Sequence, residues 1–227
     1  MSKGEKRVIT LKVGSNVITN DDGFPDEQVI GDISRQIKEV RQRGHAVILV
    51  TSGAVAAGRS IYTFPKKTDT VVQRQVLASL GQVKLISLYK EAFDKEDMRC
   101  AQVLVTKEDF KSRHHYLNMQ NCVSALLSHG IVPILNENDV VSITELMFTD
   151  NDELAGLVSA MMNANLLIIL TNVDGLFDRD PDLPGASVIH EYDPKVIRLP
   201  EITRGKKSGF GRGGILTKCQ TSEKIAG

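Results

Sequence analysis

Two lysines set in glycine-rich turns stand near opposite ends of the sequence. Lys12 lies in Lys12-Val-Gly-Ser-Asn16, directly behind the apolar run Val8-Ile-Thr-Leu11, and Lys218 closes Gly213-Gly-Ile-Leu-Thr-Lys218. Bare backbone amides beside an ammonium suit a polyphosphate. Glycine lets the main chain approach closely, and lysine supplies a mobile positive charge. Phosphoryl transfer demands in-line positioning and positive charge on the moving group, and little covalent chemistry. The pair predicts two distant parts of the chain brought onto one nucleotide, with Mg2+ bridging its phosphates.

The acids extend this reading. Asp150-Asn-Asp152 reads as the opening of a helix, where Asp150 taken alone reads first as an N-cap. Asn136-Glu-Asn-Asp139 precedes it closely. Amides and carboxylates beside two lysines suit an amino acid, whose ammonium needs an anionic partner. A carboxylate between the lysines would also fix their positions.

Several other chemistries are excluded. No GxxxxGK[ST] occurs, and Gly205-Lys-Lys-Ser208 resembles a P-loop only superficially. No GxGxxG follows the first apolar run, which lowers the dinucleotide reading. Thr51-Ser-Gly lacks the GxSxG elbow of a hydrolase. His114 and His115 are adjacent on a predicted helix, point apart, and read as surface residues.

Composition narrows the class further. Lys plus Arg is 28 and Asp plus Glu is 28 in 227 residues, so the formal net charge is zero. Nucleic-acid binders normally carry a basic excess. The stretch Arg204-Gly-Lys-Lys207 reads as a solvated loop, and Arg212-Gly-Gly is a single RGG, so no nucleic-acid partner is expected. Cys100, Cys122 and Cys219 are odd in number and form no CxxC, which points to neither a disulfide framework nor a zinc site. A reducing, cytoplasmic setting is expected. The apolar run after the charged N-terminus is too short for a signal peptide. No stretch reaches the roughly 18 apolar residues of a membrane helix. The length fits one large domain with a proper core.

Short apolar runs alternate with longer amphipathic ones. Strands are predicted at Val8–Val13, Ala46–Val50, Cys100–Val105, Ile131–Leu135 and Leu166–Leu170, the last as the clearest buried strand. Pro133 lacks an N–H and predicts an edge position or a bulge. Helices are predicted over Asp26–Arg43, Val71–Phe93 with an internal Gly81, Tyr116–Ser128 and Glu153–Asn163. Uninterrupted hydrophobicity in the strands fits a sheet covered on both faces. The alternation predicts an α/β fold, a three-layer αβα sandwich with a mainly parallel central sheet. Loops are expected at Asp178–Gly185 and, more mobile, at Lys206–Gly214. In such sheets ligands gather beyond the carboxyl ends of the strands. The residues there are Gly14 to Asn16, Thr51 to Ala54, Asn136 to Asp139 and Thr171-Asn-Val-Asp-Gly175, each turn polar or glycine-containing.

These motifs, in order and over nearly the whole chain, resemble the amino acid kinase family. The residues that carry the likeness are Lys12-Val-Gly-Ser-Asn16, Thr51-Ser-Gly-Ala-Val-Ala-Ala-Gly-Arg59, Gln73-Arg-Gln-Val-Leu-Ala-Ser-Leu-Gly-Gln82, Pro133-Ile-Leu-Asn-Glu-Asn-Asp139, Asp150-Asn-Asp-Glu-Leu154, Thr171-Asn-Val-Asp-Gly-Leu176 and Gly213 to Lys218. Asn-Glu-Asn-Asp with Thr-Ser-Gly-Ala and Asp-Asn-Asp is most similar to the members that phosphorylate the glutamate side chain. The resemblance implies ATP-dependent phosphorylation of that carboxylate, the first step of proline synthesis, with ATP and Mg2+ as cofactors. It implies that Lys12 and Lys218 stabilise the transferring phosphoryl group and that Asp152 orients both. It places Ser52, Gly53, Asn136, Asp139, Asp150 and Asn151 against glutamate. Lys12, Gly14, Thr171, Asn172, Arg212, Gly213, Gly214, Thr217 and Lys218 would border ATP. No dedicated metal-ligand set and no general base are implied, because the nucleophile is already a carboxylate. Proline is implied as a feedback inhibitor, acting near residues 64–82, and a homo-oligomer is expected.

The chain departs from the family pattern at Asn172, where Asp is frequent, and at Thr149, where Gly is common. The family's kinase domain usually continues past the segment after Lys218. The expectation is one amino acid kinase domain over 1–227, truncated at the C-terminus and without a PUA domain. Acetylglutamate or uridylate kinases are the nearest rivals, opposed by Asn136-Glu-Asn-Asp139. A non-catalytic nucleotide-binding module is the rival from another class, opposed by Lys12, Asp152 and Lys218.

Overall fold

The structure is a computed structural model that describes residues 5–65, 69–142, 151–179, 183–193, 218, 219, 222 and 223. Strand β1 (Val8–Val13) is followed by a 3-10 turn at Ser15–Val17 and by helix α1 (Glu27–Gln42). Asp26 caps α1 by accepting hydrogen bonds from the amides of Gln28 and Val29, and the apolar stripe buries Ile30, Ile33 and Ile37. Strand β2 (Ala46–Thr51) leads into the short helix α2 (Ala54–Arg59) and then into the long α3 (Thr70–Lys95). Strand β3 (Arg99–Val105), helices α4 (Lys107–Lys111) and α5 (Arg113–Ser128), strand β4 (Ile131–Glu137), helix α6 (Asn151–Met161) and strand β5 (Leu166–Leu170) complete the main body.

The five strands form one parallel sheet in the order β3-β4-β2-β1-β5. Its two faces are covered by separate apolar clusters. One joins α1 and α3 to the sheet through residues such as Ile30, Ile37, Leu85 and Phe93. The other joins α5 and α6 through Met119, Val123, Leu154 and Val158. The result is the three-layer αβα sandwich with a parallel sheet that the alternation predicts. No helix among the described residues is long and apolar enough to cross a membrane.

Two strand expectations are corrected. Strand β4 is not an edge: it lies between β3 and β2. Pro133 is accommodated because the ladder to β2 begins only at Ile134, so at the proline the strand is paired only with Ala101 of β3. Strand β5 is not the most buried. Among the described residues it pairs only with β1, and Leu166 and Ile168 are 48% and 37% exposed. An apolar run specifies a strand but not how many neighbours cover it. The Asp178–Gly185 loop joins a two-stranded antiparallel ribbon, β6 (Leu176–Phe177) with β7 (Val188–Ile189). Lys206–Gly214 lies outside the described residues.

Helix α2 has a different origin from the others. Gly53 precedes it at φ 102°, where a side chain would strain the backbone and a Cβ would stand 2.9 Å from Ile18 Cδ1. The helix then packs main chain to main chain on α3. A Cβ on Gly81 would fall 1.7 Å from the carbonyl oxygen of Ala54, and one on Gly58 2.0 Å from that of Leu77. These two glycines hold the turn after β2 against the long helix.

Candidate active site

The carboxyl ends of β1, β2 and β4 converge with the start of α6. Lys12 is paired in register with Val50 of β2 and Ile169 of β5, so it sits in the middle of the sheet. Its ammonium lies 2.6 Å from Asp152 Oδ1. The ammonium of Lys218 donates to the other oxygen, Oδ2, at 2.7 Å. Asp152 is fully buried and Lys12 is 5% exposed, whereas the Lys218 side chain is 19% exposed. Counting these three side chains alone, two cations and one anion sum to a net positive charge at the buried start of α6. A buried group of this kind is a poor device for stability, because desolvation offsets most of the attraction. It is well suited to receiving an anion. Gly14 adjoins it: a Cβ there would be 3.4 Å from Lys12 Nζ, so the missing side chain leaves room beside the ammonium.

A second cluster lies next to the first. The Asn151 side-chain amide donates to the Thr51 carbonyl at 2.6 Å, to Ser52 Oγ at 2.8 Å and to Asn136 Oδ1 at 2.9 Å. One side chain at the N-terminus of α6 thereby ties the ends of β2 and β4 together. Ser52 and Gly53 are half-buried, and Asn136 is almost wholly buried. Asp139, 7% exposed, follows on the loop after β4. Its Oδ1 accepts from both Nε (3.0 Å) and Nη2 of Arg74 on α3. Arg74 also lies 3.5 Å from Glu137. Counting Arg74, Glu137 and Asp139 alone, two carboxylates face one guanidinium, in contrast to the lysine pair.

Thr171 and Asn172 follow β5, which runs beside β1, so they sit at the same end of the sheet as Lys12; Thr171 is half-buried and Asn172 exposed. Asp150, Arg212, Gly213, Gly214 and Thr217 lie outside the described residues. Among the described residues no three His, Cys, Asp or Glu side chains converge as a metal site.

Arg74 lies inside the Gln73–Gln82 motif without a role assigned to it there, and Tyr89 lies outside every motif. Arg74 has one local signal, a charge standing in the apolar stretch Val71–Leu80. Its acidic partners come from a strand end far along the chain, which no local pattern reveals. Tyr89 is buried in α3, and its hydroxyl lies 2.9 Å from Thr51 Oγ1.

Comparison with known proteins bears on this geometry. Residues 7–226 match the Amino acid kinase family. The chain is 51% identical over 220 residues to the glutamate 5-kinase of Chlorobaculum tepidum, an alignment covering 97% of this chain and 60% of that protein. It is 46% identical over 224 residues to the glutamate 5-kinase of Bacteroides thetaiotaomicron, covering 99% and 62%. The glutamate 5-kinase of Citrifermentans bemidjiense is 38% identical over 224 residues, covering 98% and 60%. The chain thus spans about three fifths of the length of these relatives.

Proposed function

This chain belongs to the amino acid kinase family, and from that premise we propose that it forms the catalytic part of an ATP-dependent glutamate 5-kinase. The observation that carries the proposal is the placement of Lys12 and Lys218 on the two oxygens of Asp152, beside a separate acidic cluster. The charge separation matches the two ends of the reaction. The net positive group receives the γ-phosphoryl of ATP. The carboxylate of Asp139, with the amide and hydroxyl of Asn151 and Ser52, receives the α-amino acid end of glutamate.

In this mechanism a γ-carboxylate oxygen of glutamate attacks the terminal phosphorus of ATP. The new P–O bond forms as the bond to the bridging oxygen breaks, giving γ-glutamyl phosphate and ADP. Charge gathers on the moving phosphoryl group, and the two ammoniums are held in advance where it gathers. Asp152 prevents them from repelling each other and fixes their spacing. No proton has to leave the nucleophile. Mg2+, carried on the nucleotide phosphates, would neutralise charge between them. The resemblance of the Gly213–Lys218 segment supports its lying along ATP with Gly14, Thr171 and Asn172.

Proline feedback, a homo-oligomer and a cytoplasmic location complete this reading. Val72, Val76 and Val83 lie exposed at helical spacing on α3, which supports association. Arg74, on the same helix, joins the 64–82 region to Asp139 and supports regulation from there.

The test is ADP release with MgATP and each of glutamate, aspartate, acetylglutamate and UMP. Turnover with glutamate alone is expected. Turnover with UMP and none with glutamate would overturn the proposal, and nucleotide binding without any turnover would favour the non-catalytic module.

A further inference from the structure

Packing alone would accept phenylalanine at position 89. The ring is fully buried among Ile, Leu and Phe side chains, and it stacks edge-on to Phe93 with centroids 6.5 Å apart. A hydroxyl in such a place costs stability unless it is bonded. Its partner is Thr51 Oγ1 at 2.9 Å, and the Thr51 hydroxyl in turn donates to the Ser52 carbonyl at 3.1 Å. A hydroxyl carries one hydrogen, so Tyr89 is the donor to Thr51 and the chain runs one way, from α3 into the turn after β2. The nearby amides bond among themselves and to the backbone: Gln102 donates to Gln82 at 3.1 Å, and Gln82 donates to the Glu137 carbonyl. Burial pushes the Tyr89 phenol up to about 12, so it remains a donor at neutral pH.

The direction of this chain matters because of peptide geometry. The described chain has no cis bond, so the Ser52 carbonyl and the Gly53 N–H point in opposite directions. Holding the carbonyl toward Thr51 and α3 turns the Gly53 N–H the other way. The preceding peptide is fixed by the Asn151 amide on the Thr51 carbonyl and by the Ser52 N–H on the Val13 carbonyl at 3.1 Å. Gly53 itself, at φ 102°, has no side chain to hold its orientation.

We propose that Tyr89 is a positioning residue: acting through Thr51, its hydroxyl orients the Ser52–Gly53 peptide and so aims the Gly53 N–H at the acceptor carboxylate. The functional half of this statement rests on the glutamate kinase reading. The structural half does not.

The test uses Tyr89→Phe, Thr51→Val, their double variant and Thr51→Ser in the whole chain. In the ligand-free protein the Ser52 carbonyl carbon and Gly53 amide resonances are expected to move in Tyr89→Phe and in Thr51→Val, and to stay near their places in Thr51→Ser. Unmoved resonances in Tyr89→Phe overturn the proposal even if the protein phosphorylates nothing. In the kinase assay Tyr89→Phe is expected to lower kcat about 3- to 10-fold, the range of one hydrogen bond, with the KM for ATP unchanged. The double variant should be no slower than Thr51→Val. A lowered melting temperature with unchanged kcat, or fully additive losses, would make Tyr89 a packing residue only. Moved resonances in a wild-type chain without glutamate turnover would overturn the function proposed above and leave the orienting role standing.

Discussion

Lys12 meets Asp152 at 2.6 Å across the contact between β1 and α6, and both side chains are sealed from solvent. Lys218 takes the remaining oxygen from the solvent side. Removing the carboxylate leaves two ammoniums facing each other. Asp152→Ala is expected to lower stability by about 3–5 kcal/mol, the usual result of unpairing a buried charge, read from a urea titration. Asp152→Asn should keep more of the fold and still lose roughly 100-fold or more in kcat.

Each lysine alone should matter to rate more than to folding, because the other continues to pair Asp152. Lys12→Ala and Lys218→Ala are each expected to lower kcat about 10²–10³-fold, with the far-ultraviolet circular dichroism unchanged. Near-normal kcat in either variant would defeat the two-lysine mechanism.

In the proposed site Asp139 meets the substrate ammonium, and Arg74 already holds its carboxylate. Asp139→Ala is expected to raise the KM for glutamate with a smaller effect on kcat, since it removes binding made in the ground state. An unchanged KM moves the amino acid site elsewhere. Arg74→Ala should loosen Asp139 and also raise that KM.

Gly81 lets α2 and α3 touch through their backbones. In Gly81→Ala the new methyl meets the Ala54 carbonyl, which cannot rotate away as a side chain would. The expected cost is about 1–3 kcal/mol or more, measured by thermal denaturation. Because Ala54 follows Gly53, the KM for glutamate should rise in the same variant.

Tyr89 also predicts an alkaline effect. Its folded value is pushed up to about 12 by burial from an ordinary value of 10. The unfolded chain therefore releases this proton first, and the contribution is whole below pH 10 and lost as pH rises toward 12. Tyr89→Phe should be less steeply destabilised across that window than the wild type.

The parts of this structure that local pattern specifies were readable in advance. Ala46–Val50 is a buried strand because it is apolar throughout, and α1 begins after Asp26 because that side chain caps it. The short helix α2 was not readable. Ala-Val-Ala-Ala-Gly has no amphipathic period, and it becomes a helix where the glycines of α2 and α3 permit contact. The depth of Pro133 and the exposure of Leu166 depend on strand order, which a run of apolar residues does not encode. Within the site, glycine-lysine turns announced Lys12 and Lys218. The pairings of Arg74 and Tyr89 stayed hidden because their partners, Asp139 and Thr51, are distant in sequence and meet them only after α3 has docked.

The placement of Lys218 on Asp152 also sets an order of events during synthesis. A ribosome delivers Lys12 early, Asp152 much later and Lys218 later still. The emerging domain can build its sheet and both apolar faces while one oxygen of Asp152 still lacks its second cation. The two-lysine clasp on Asp152 is therefore completed later in synthesis than the strand on which Lys12 stands and the helix that carries the carboxylate.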